Sequence, residues 1–191
     1  VRGKVSDRKE LTFSKPKIVA DKPVPLDSRS FVPLSRNCKA LDMVVKRNSY
    51  EAYRKGIADI QYDVRQDRVV FMVKRDDKVV DAVGRKLSDA DKRPKWFRYA
   101  RSRHPFVCDA QTDSDKAVLV EDCFSACAVS QAHTGIALMG TNLPNDYLTT
   151  LKNYSKIISG NYSKKKIKLK GSFHRKSQLP KDIKNWNIKI L

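Results

Sequence analysis

Two acidic residues, Glu121 and Asp122, stand directly after an apolar run at residues 117–120. A short apolar run bounded by charged residues predicts a buried β-strand. Ligands of open α/β sheets bind at the carboxyl ends of strands, so an acid at this position is typical of a metal ligand or a catalytic acid or base. A strand-end carboxylate can equally stabilise the next helix through its dipole or as an N-cap. Both interpretations stay open at this stage.

The residues after Asp122 complete a strand–helix–strand unit. Small residues at helical spacing follow, and a second apolar run at 136–139 ends at Gly140. A further helix is expected from about Asn145 to Lys152, with a short strand at 156–158. Alternation of strands and helices predicts the α/β fold class.

The residues before this unit favour a mixed α+β structure. Residues 1–36 are rich in Pro, Lys and Ser, which predicts an extended arm or linker. Helical patterns occupy 37–60. Strands are expected at 68–74 and 79–87 around a charged turn, and a short aromatic strand at 94–99.

The charge of the chain points to a polyanionic partner. Its 191 residues carry a formal net charge of +19, and nucleic acid is the leading choice for such a protein. No apolar run approaches the roughly 20 residues that span a bilayer, so no membrane partner is expected. The cysteines form no CxxC pair, which argues against a zinc site in this chain.

Two stretches of the sequence resemble a known family. The segment KAVLVEDCFSACAVSQAHTGIALMGTNL resembles the first half of the Toprim domain of DNA primases, in a form closer to bacteriophage variants, with Glu121 at the catalytic Glu position. Upstream, RVVFMVKRDDKVVDAVGRKL followed by KRPKWFRYA resembles the basic subdomain that precedes Toprim in primases. The resemblance covers about 57–158.

The resemblance implies a Toprim-like, Rossmann-related sheet preceded by a basic α+β subdomain. It divides the chain into an arm at 1–36, the basic subdomain at 37–110, the Toprim-like subdomain at 111–170 and a basic tail at 171–191. Glu121 would be catalytic and would hold Mg²⁺ together with Asp122. The residues implied to bind nucleic acid or nucleotide are Arg85, Lys95, Trp96 and Arg98.

The function implied is Mg²⁺-dependent synthesis of RNA primers on single-stranded DNA during phage replication. Its ligands would be ribonucleotides and single-stranded DNA, and a replicative helicase would be a further partner. Its location would be the cytoplasm, which for a viral protein is that of the host cell. Zinc would belong only to a ribbon domain upstream of this chain.

One departure from the family keeps other functions open. Toprim domains carry a second motif, Asp-x-Asp, after the next strand, and residues 159–163 contain no acid. The copy can be a non-catalytic nucleic-acid-binding module, another acid such as Asp109 or Asp146 can substitute, or the sequence after Ile158 can come from a shifted reading frame. A Toprim nuclease or topoisomerase is a weaker alternative.

Overall fold

The computed structural model describes residues 24–139 and 147–159 of the chain. The expected turn at Gly140 and the basic tail lie outside these residues, as does the start of the helix expected from Asn145. No helix in the described ranges has the length and apolar character needed to cross a membrane.

Five antiparallel strands form the first sheet, and they are neighbours in chain order. In that order, β1 to β5 are Phe31–Pro33, Ile60–Asp63, Arg68–Arg75, Lys78–Lys86 and Trp96–Arg98. Between β1 and β2 the chain forms two helices, α1 at Cys38–Lys46 and α2 at Tyr50–Arg54.

The hairpin of β3 and β4 confirms the sequence prediction. Its turn residues, Asp76 and Asp77, have φ angles of 49° and 59°. Positive φ at both central positions matches the twist of a two-residue hairpin, and Asp tolerates this conformation better than most residues do. The charged turn therefore closes the hairpin by pairing Arg75 with Lys78, and the register shifts by one residue between Val73 and Lys74.

Strand β1 lies within the segment that the sequence analysis assigns to an extended arm. Phe31 pairs with Asp63 of β2, and Pro33 pairs with Gln61. Leu34, directly after β1, is fully buried in the core. This part of the segment is therefore an edge strand of the first sheet, and edge strands tolerate proline.

Four strands form the second sheet, which confirms the strand–helix–strand unit. They are β6 at Phe106–Cys108, β7 at Lys116–Val120, β8 at Thr134–Ala137 and β9 at Lys156–Ser159. Their order is β6-β8-β7-β9, in which β7 is parallel to both β8 and β9, and β6 is antiparallel to β8. Helix α3, Cys123–Val129, joins β7 to β8, and α4, Leu148–Leu151, precedes β9.

The two sheets share one hydrophobic core through α3 and β6. Phe124 of α3 lies edge-on to Phe71 of β3, with ring centroids 4.9 Å apart, and Phe106 of β6 lies 5.5 Å from Phe71. Along β7, Val118 and Val120 face this shared core, whereas Leu119 faces a second cluster that includes α4. Helices thus cover both faces of the parallel strands, as the α/β fold class requires.

Candidate functional site

The connections of the second sheet reverse direction at β7. The chain leaves β7 through α3 to β8 on one side, and returns through α4 to β9 on the other side. Such a reversal opens a crevice at the carboxyl ends of the strands, where open α/β sheets bind their ligands. Glu121 is the first residue after β7, so it lies at this crevice.

Glu121 has an ordered backbone and an exposed side chain. Its carbonyl accepts a hydrogen bond of 3.0 Å from the N–H of Met139, and the carbonyl of Val120 accepts one from Leu138, also of 3.0 Å. The pairing of β7 with β8 therefore continues one residue beyond each strand. This positions the Glu121 carboxylate at the surface of the protein.

Asp122 is the N-cap of α3. Its backbone is extended, with φ −134° and ψ 165°, and its Oδ1 accepts a 3.0 Å hydrogen bond from the N–H of Ser125. This is the capping role left open in the sequence analysis. One of the two carboxylate oxygens is therefore already bonded, which limits Asp122 as a metal ligand.

The metal-binding capacity of the crevice rests on these two adjacent acids. Among residues 24–139 and 147–159 there is no group of three or more His, Cys, Asp or Glu side chains able to hold a metal ion. Mg²⁺ is commonly bound through only one or two carboxylates, with water and substrate phosphates completing its shell. Glu121, supported by the second oxygen of Asp122, fits that minimal arrangement.

Close packing of α3 against β8 is part of the scaffold that follows Glu121. A Cβ added to Gly135 of β8 would lie 2.2 Å from the carbonyl oxygen of Ala126. Only a residue without a side chain allows this approach of helix and strand. The small residues of this unit are therefore a requirement of the site's scaffold.

Arg85 of β4 lies almost entirely inside the protein. Its side chain is 6% exposed, its Nη1 donates to the carbonyl of Lys86 at 3.0 Å, and its Nη2 contacts Asp89 at 3.3 Å. Little of the guanidinium surface is left for a phosphate in this arrangement. Its binding role stays a prediction.

Arg98 of β5 ties a loop to the first sheet. Its Nη1 contacts the buried carboxylate of Asp81 at 3.1 Å and donates to the carbonyls of Ser102 and His104 at 2.7 and 2.9 Å. Asp81 also accepts hydrogen bonds from the N–H groups of Ala82, Ala100 and Ser102. The pair is therefore structural in its observed contacts.

The two other predicted binding residues differ in exposure. Trp96 is half-buried, with its ring 6.2 Å from Phe71 and 5.9 Å from Phe124 in the shared core. Lys95 is exposed on the segment that leads into β5. Both residues belong to β5 or the segment that leads into it, in the first sheet, whereas Glu121 follows β7 of the second sheet.

Comparison with solved structures identifies the architecture. The chain superposes on the Escherichia coli primase catalytic core with a TM-score of 0.50 and 16% identity, over 67% of this chain and 56% of that one. It has the fold of a primase catalytic core. The RNA polymerase domain of Mycobacterium tuberculosis primase DnaG, in complex with double-stranded DNA, gives a TM-score of 0.48 with 16% identity over 64% and 56% of the two chains.

The likeness lies in structure and not in sequence. No family profile and no curated protein matches the chain. The chain spans little more than half the length of the E. coli primase catalytic core. The primase-like fold is therefore established here, whereas activity, substrates and partners require arguments from the site itself.

Sequence reasoning missed that Arg68 is a buried residue of the first sheet. This residue of β3 is 1% exposed, and its Nη1 donates to the carbonyl of Pro94 at 3.0 Å. Burial lowers the pKa of Arg68 from its ordinary value. Its guanidinium carbon lies 5.6 Å from the ring centroid of Phe97. No local sequence signal distinguishes this buried arginine from the exposed basic residues around it.

Proposed function

We propose that the chain carries out templated synthesis of RNA primers on single-stranded DNA, in the replication of phage DNA. The observation that carries the proposal is the exposed carboxylate of Glu121 at the crevice of a sheet whose fold is that of a primase catalytic core. The sequence around Glu121 supports the same conclusion through its resemblance to Toprim domains.

In this reaction the 3′-hydroxyl of the growing primer attacks the α-phosphate of a ribonucleotide, and pyrophosphate leaves. The contribution of the protein is mainly to position the reactants and to stabilise charge. Glu121 and Asp122 are the residues that would hold Mg²⁺, which neutralises charge on the phosphate oxygens when bound. Glu121, as the more exposed member of the pair, carries the larger share of this role.

Single-stranded DNA fits the electrostatics of the chain. A net charge of +19 favours association with a polyanion through release of counterions. Lys95 offers an exposed ammonium group on the first sheet for a phosphate contact. Arg85 and Arg98 would support the DNA-binding surface mainly by holding its loops, because their guanidinium groups bond within the protein.

A second candidate function is a non-catalytic nucleic-acid-binding module. Two observations favour it: Asp122 is engaged as a helix cap, and the described residues contain no group of three metal-capable side chains. In that case the primase-like fold binds DNA without chemistry at Glu121.

The two candidates differ in one assay. Purified protein is incubated with a single-stranded DNA template and labelled ribonucleotides, with and without Mg²⁺, and the products are resolved by length. Glu121→Gln, prepared in parallel, is the matched control, because it keeps the size of the side chain and removes its charge. DNA binding is measured on the same samples.

Template- and Mg²⁺-dependent product from the native chain, absent with Glu121→Gln, supports primer synthesis. Salt-sensitive DNA binding without product from either protein supports the binding module and overturns the catalytic proposal. Absence of both product and DNA binding contradicts both candidates.

A further inference from the structure

Phe97 is the exposed member of the aromatic run on β5. The side chains of this run alternate between the two faces of the sheet, as successive side chains of any strand do. Trp96 points into the shared core, whereas 40% of Phe97 remains exposed on the opposite face. An aromatic ring left exposed on a rigid strand is not explained by core packing, which Trp96 already provides.

The Phe97 ring is held in place from two sides. Tyr99 lies edge-on to it, with ring centroids 5.0 Å apart and planes at 83°. Arg68 places its guanidinium carbon 5.6 Å from the ring centroid. Tyr99 is itself anchored, because its hydroxyl donates a 2.5 Å hydrogen bond to the buried carboxylate of Asp63.

Gly84 creates the space for this arrangement. It pairs directly with Phe97 across β4 and β5. A Cβ at Gly84 would lie 3.0 Å from Cδ of Arg68 and 3.0 Å from a ring carbon of Tyr99. The missing side chain lets Arg68 extend across the strand towards Phe97. The Phe97 platform, defined as Phe97 with Arg68 and Tyr99, is therefore preorganised.

The surroundings of the platform are basic. Lys92 and Lys95 are exposed on the segment that leads into β5. Arg93, 45% exposed, pairs with Asp91 at 2.7 Å and donates to Gln66 at 3.0 Å. An exposed ring next to cations is the combination by which single-stranded nucleic acids are bound: bases stack on the ring and phosphates contact the cations. A duplex has no free base face to offer.

We propose that the Phe97 platform stacks one base of a single-stranded nucleic acid. The proposal rests on the proposed function, in which single-stranded DNA is a ligand, and adds a site that the sequence resemblance does not assign. Since Trp96 faces α3 and Phe97 faces away from it, the stacked base lies on the opposite face of the first sheet from α3. The platform would hold the template outside the reaction crevice.

Binding of a labelled oligonucleotide of about 16 thymidines, measured by fluorescence anisotropy, tests the platform. The matched ligand is an abasic oligonucleotide of equal length, which keeps the phosphates and lacks the bases. Phe97→Ala is expected to weaken binding of the thymidine oligonucleotide about 5- to 150-fold, which corresponds to the loss of one stacked base. Binding of the abasic oligonucleotide should be unchanged, and so should the salt dependence, because no phosphate contact is lost.

Two further variants separate stacking from packing. Phe97→Tyr keeps an aromatic face and should retain native affinity, whereas Phe97→Leu keeps apolar volume and should bind as weakly as Phe97→Ala. Val79→Ala, which truncates another exposed apolar residue of the first sheet, is the control and should bind as the native chain does.

The outcomes distinguish this proposal from the function on which it rests. If the native chain binds the oligonucleotide and Phe97→Ala binds it equally well, the platform is wrong and primer synthesis is unaffected. Full affinity in Phe97→Leu also overturns the platform. If the native chain binds neither oligonucleotide, the DNA-binding function fails and the platform fails with it.

Discussion

Asp81 and Glu121 show how differently the two sheets use a carboxylate. Asp81 of the first sheet is fully buried and accepts three backbone N–H groups and the guanidinium of Arg98. Glu121 of the second sheet lies exposed where β7 ends. Buried charges of the first sheet thus hold loops together, whereas the acid of the second sheet faces solvent. Charge alone therefore does not identify a binding residue.

Asp81→Ala should produce the largest loss of stability. Removing one partner of a buried ion pair leaves the other charge uncompensated, and we expect the free energy of unfolding to fall by about 3–5 kcal/mol. Urea denaturation measures the change. Asp113→Ala, at an exposed position, serves as the control and should change stability by less than about 0.5 kcal/mol.

Asp81→Asn keeps an acceptor oxygen, so its loss of stability should lie between those of Asp81→Ala and Asp113→Ala. This variant also tests the buried pair if Asp81→Ala does not fold. Native stability in Asp81→Asn and Asp81→Ala would mean that the buried pair with Arg98 is not structural.

Two substitutions of glycine by alanine, one in each sheet, compare how closely the sheets are packed. Gly135→Ala forces a Cβ against the backbone of α3 and should cost about 1–3 kcal/mol or more. At Gly84 the nearest atoms to an added Cβ are side-chain atoms of Arg68 and Tyr99 at 3.0 Å, a less severe approach than 2.2 Å to backbone, so we expect a smaller loss. Thermal or urea unfolding gives both values. The reverse order would contradict the close contact between α3 and β8.

The pH dependence of stability tests the partly buried phenol of Tyr99, which follows β5. Burial, together with the hydrogen bond to Asp63, raises the pKa of Tyr99 above its ordinary value. Above about pH 10 the unfolded chain therefore loses this proton while the folded protein keeps it, so stability falls as pH rises. Ionisation of Tyr99 lowers the free energy of unfolding by less than about 1.4 kcal/mol per pH unit, which is the slope for one proton.

Urea denaturation from pH 8 to 11 should show a shallower decline for Tyr99→Phe than for the native chain. Equal slopes in the two proteins would show that the Tyr99 phenol ionises as readily in the folded state as in the unfolded chain.

Substitution of the α3 cap should have the smallest effect. Asp122→Ala removes the acceptor for the Ser125 N–H and should cost about 1 kcal/mol, whereas Asp122→Asn keeps a good cap and should be close to native. Asn37→Ala, which removes the N-cap of α1 in the same way, gives the matched value. If Asp122→Ala and the native chain have the same midpoint of urea denaturation, the cap does not contribute to stability.

The sequence predicts local features of this fold well. The hairpin of β3 and β4 and the unit β7–α3–β8 follow from runs of apolar residues and from turn residues that are close in sequence. Strand β1 was missed because it has three residues, includes Pro33, and gains its stability from pairing with β2, which is distant in the chain.

The placement of the basic residues could not be predicted in the same way. The last six residues of β4, 81–86, are all buried, so the alternation that marks an exposed side is absent around Arg85. The inward direction of Arg98 depends on Asp81, a partner 17 residues away. By contrast, the position of Glu121 follows directly from the end of a strand.

Primer synthesis by Glu121→Gln, measured beside its affinity for single-stranded DNA, decides whether the Glu121 carboxylate acts in catalysis. We expect the amount of product to fall about 10²- to 10⁴-fold, the range expected when a catalytic acid or base is lost. DNA affinity should stay at the native value, and the free energy of unfolding, measured on the same samples, separates a loss of catalysis from a loss of folding. Native amounts of product from Glu121→Gln would contradict the assignment of this carboxylate as the functional residue of the chain.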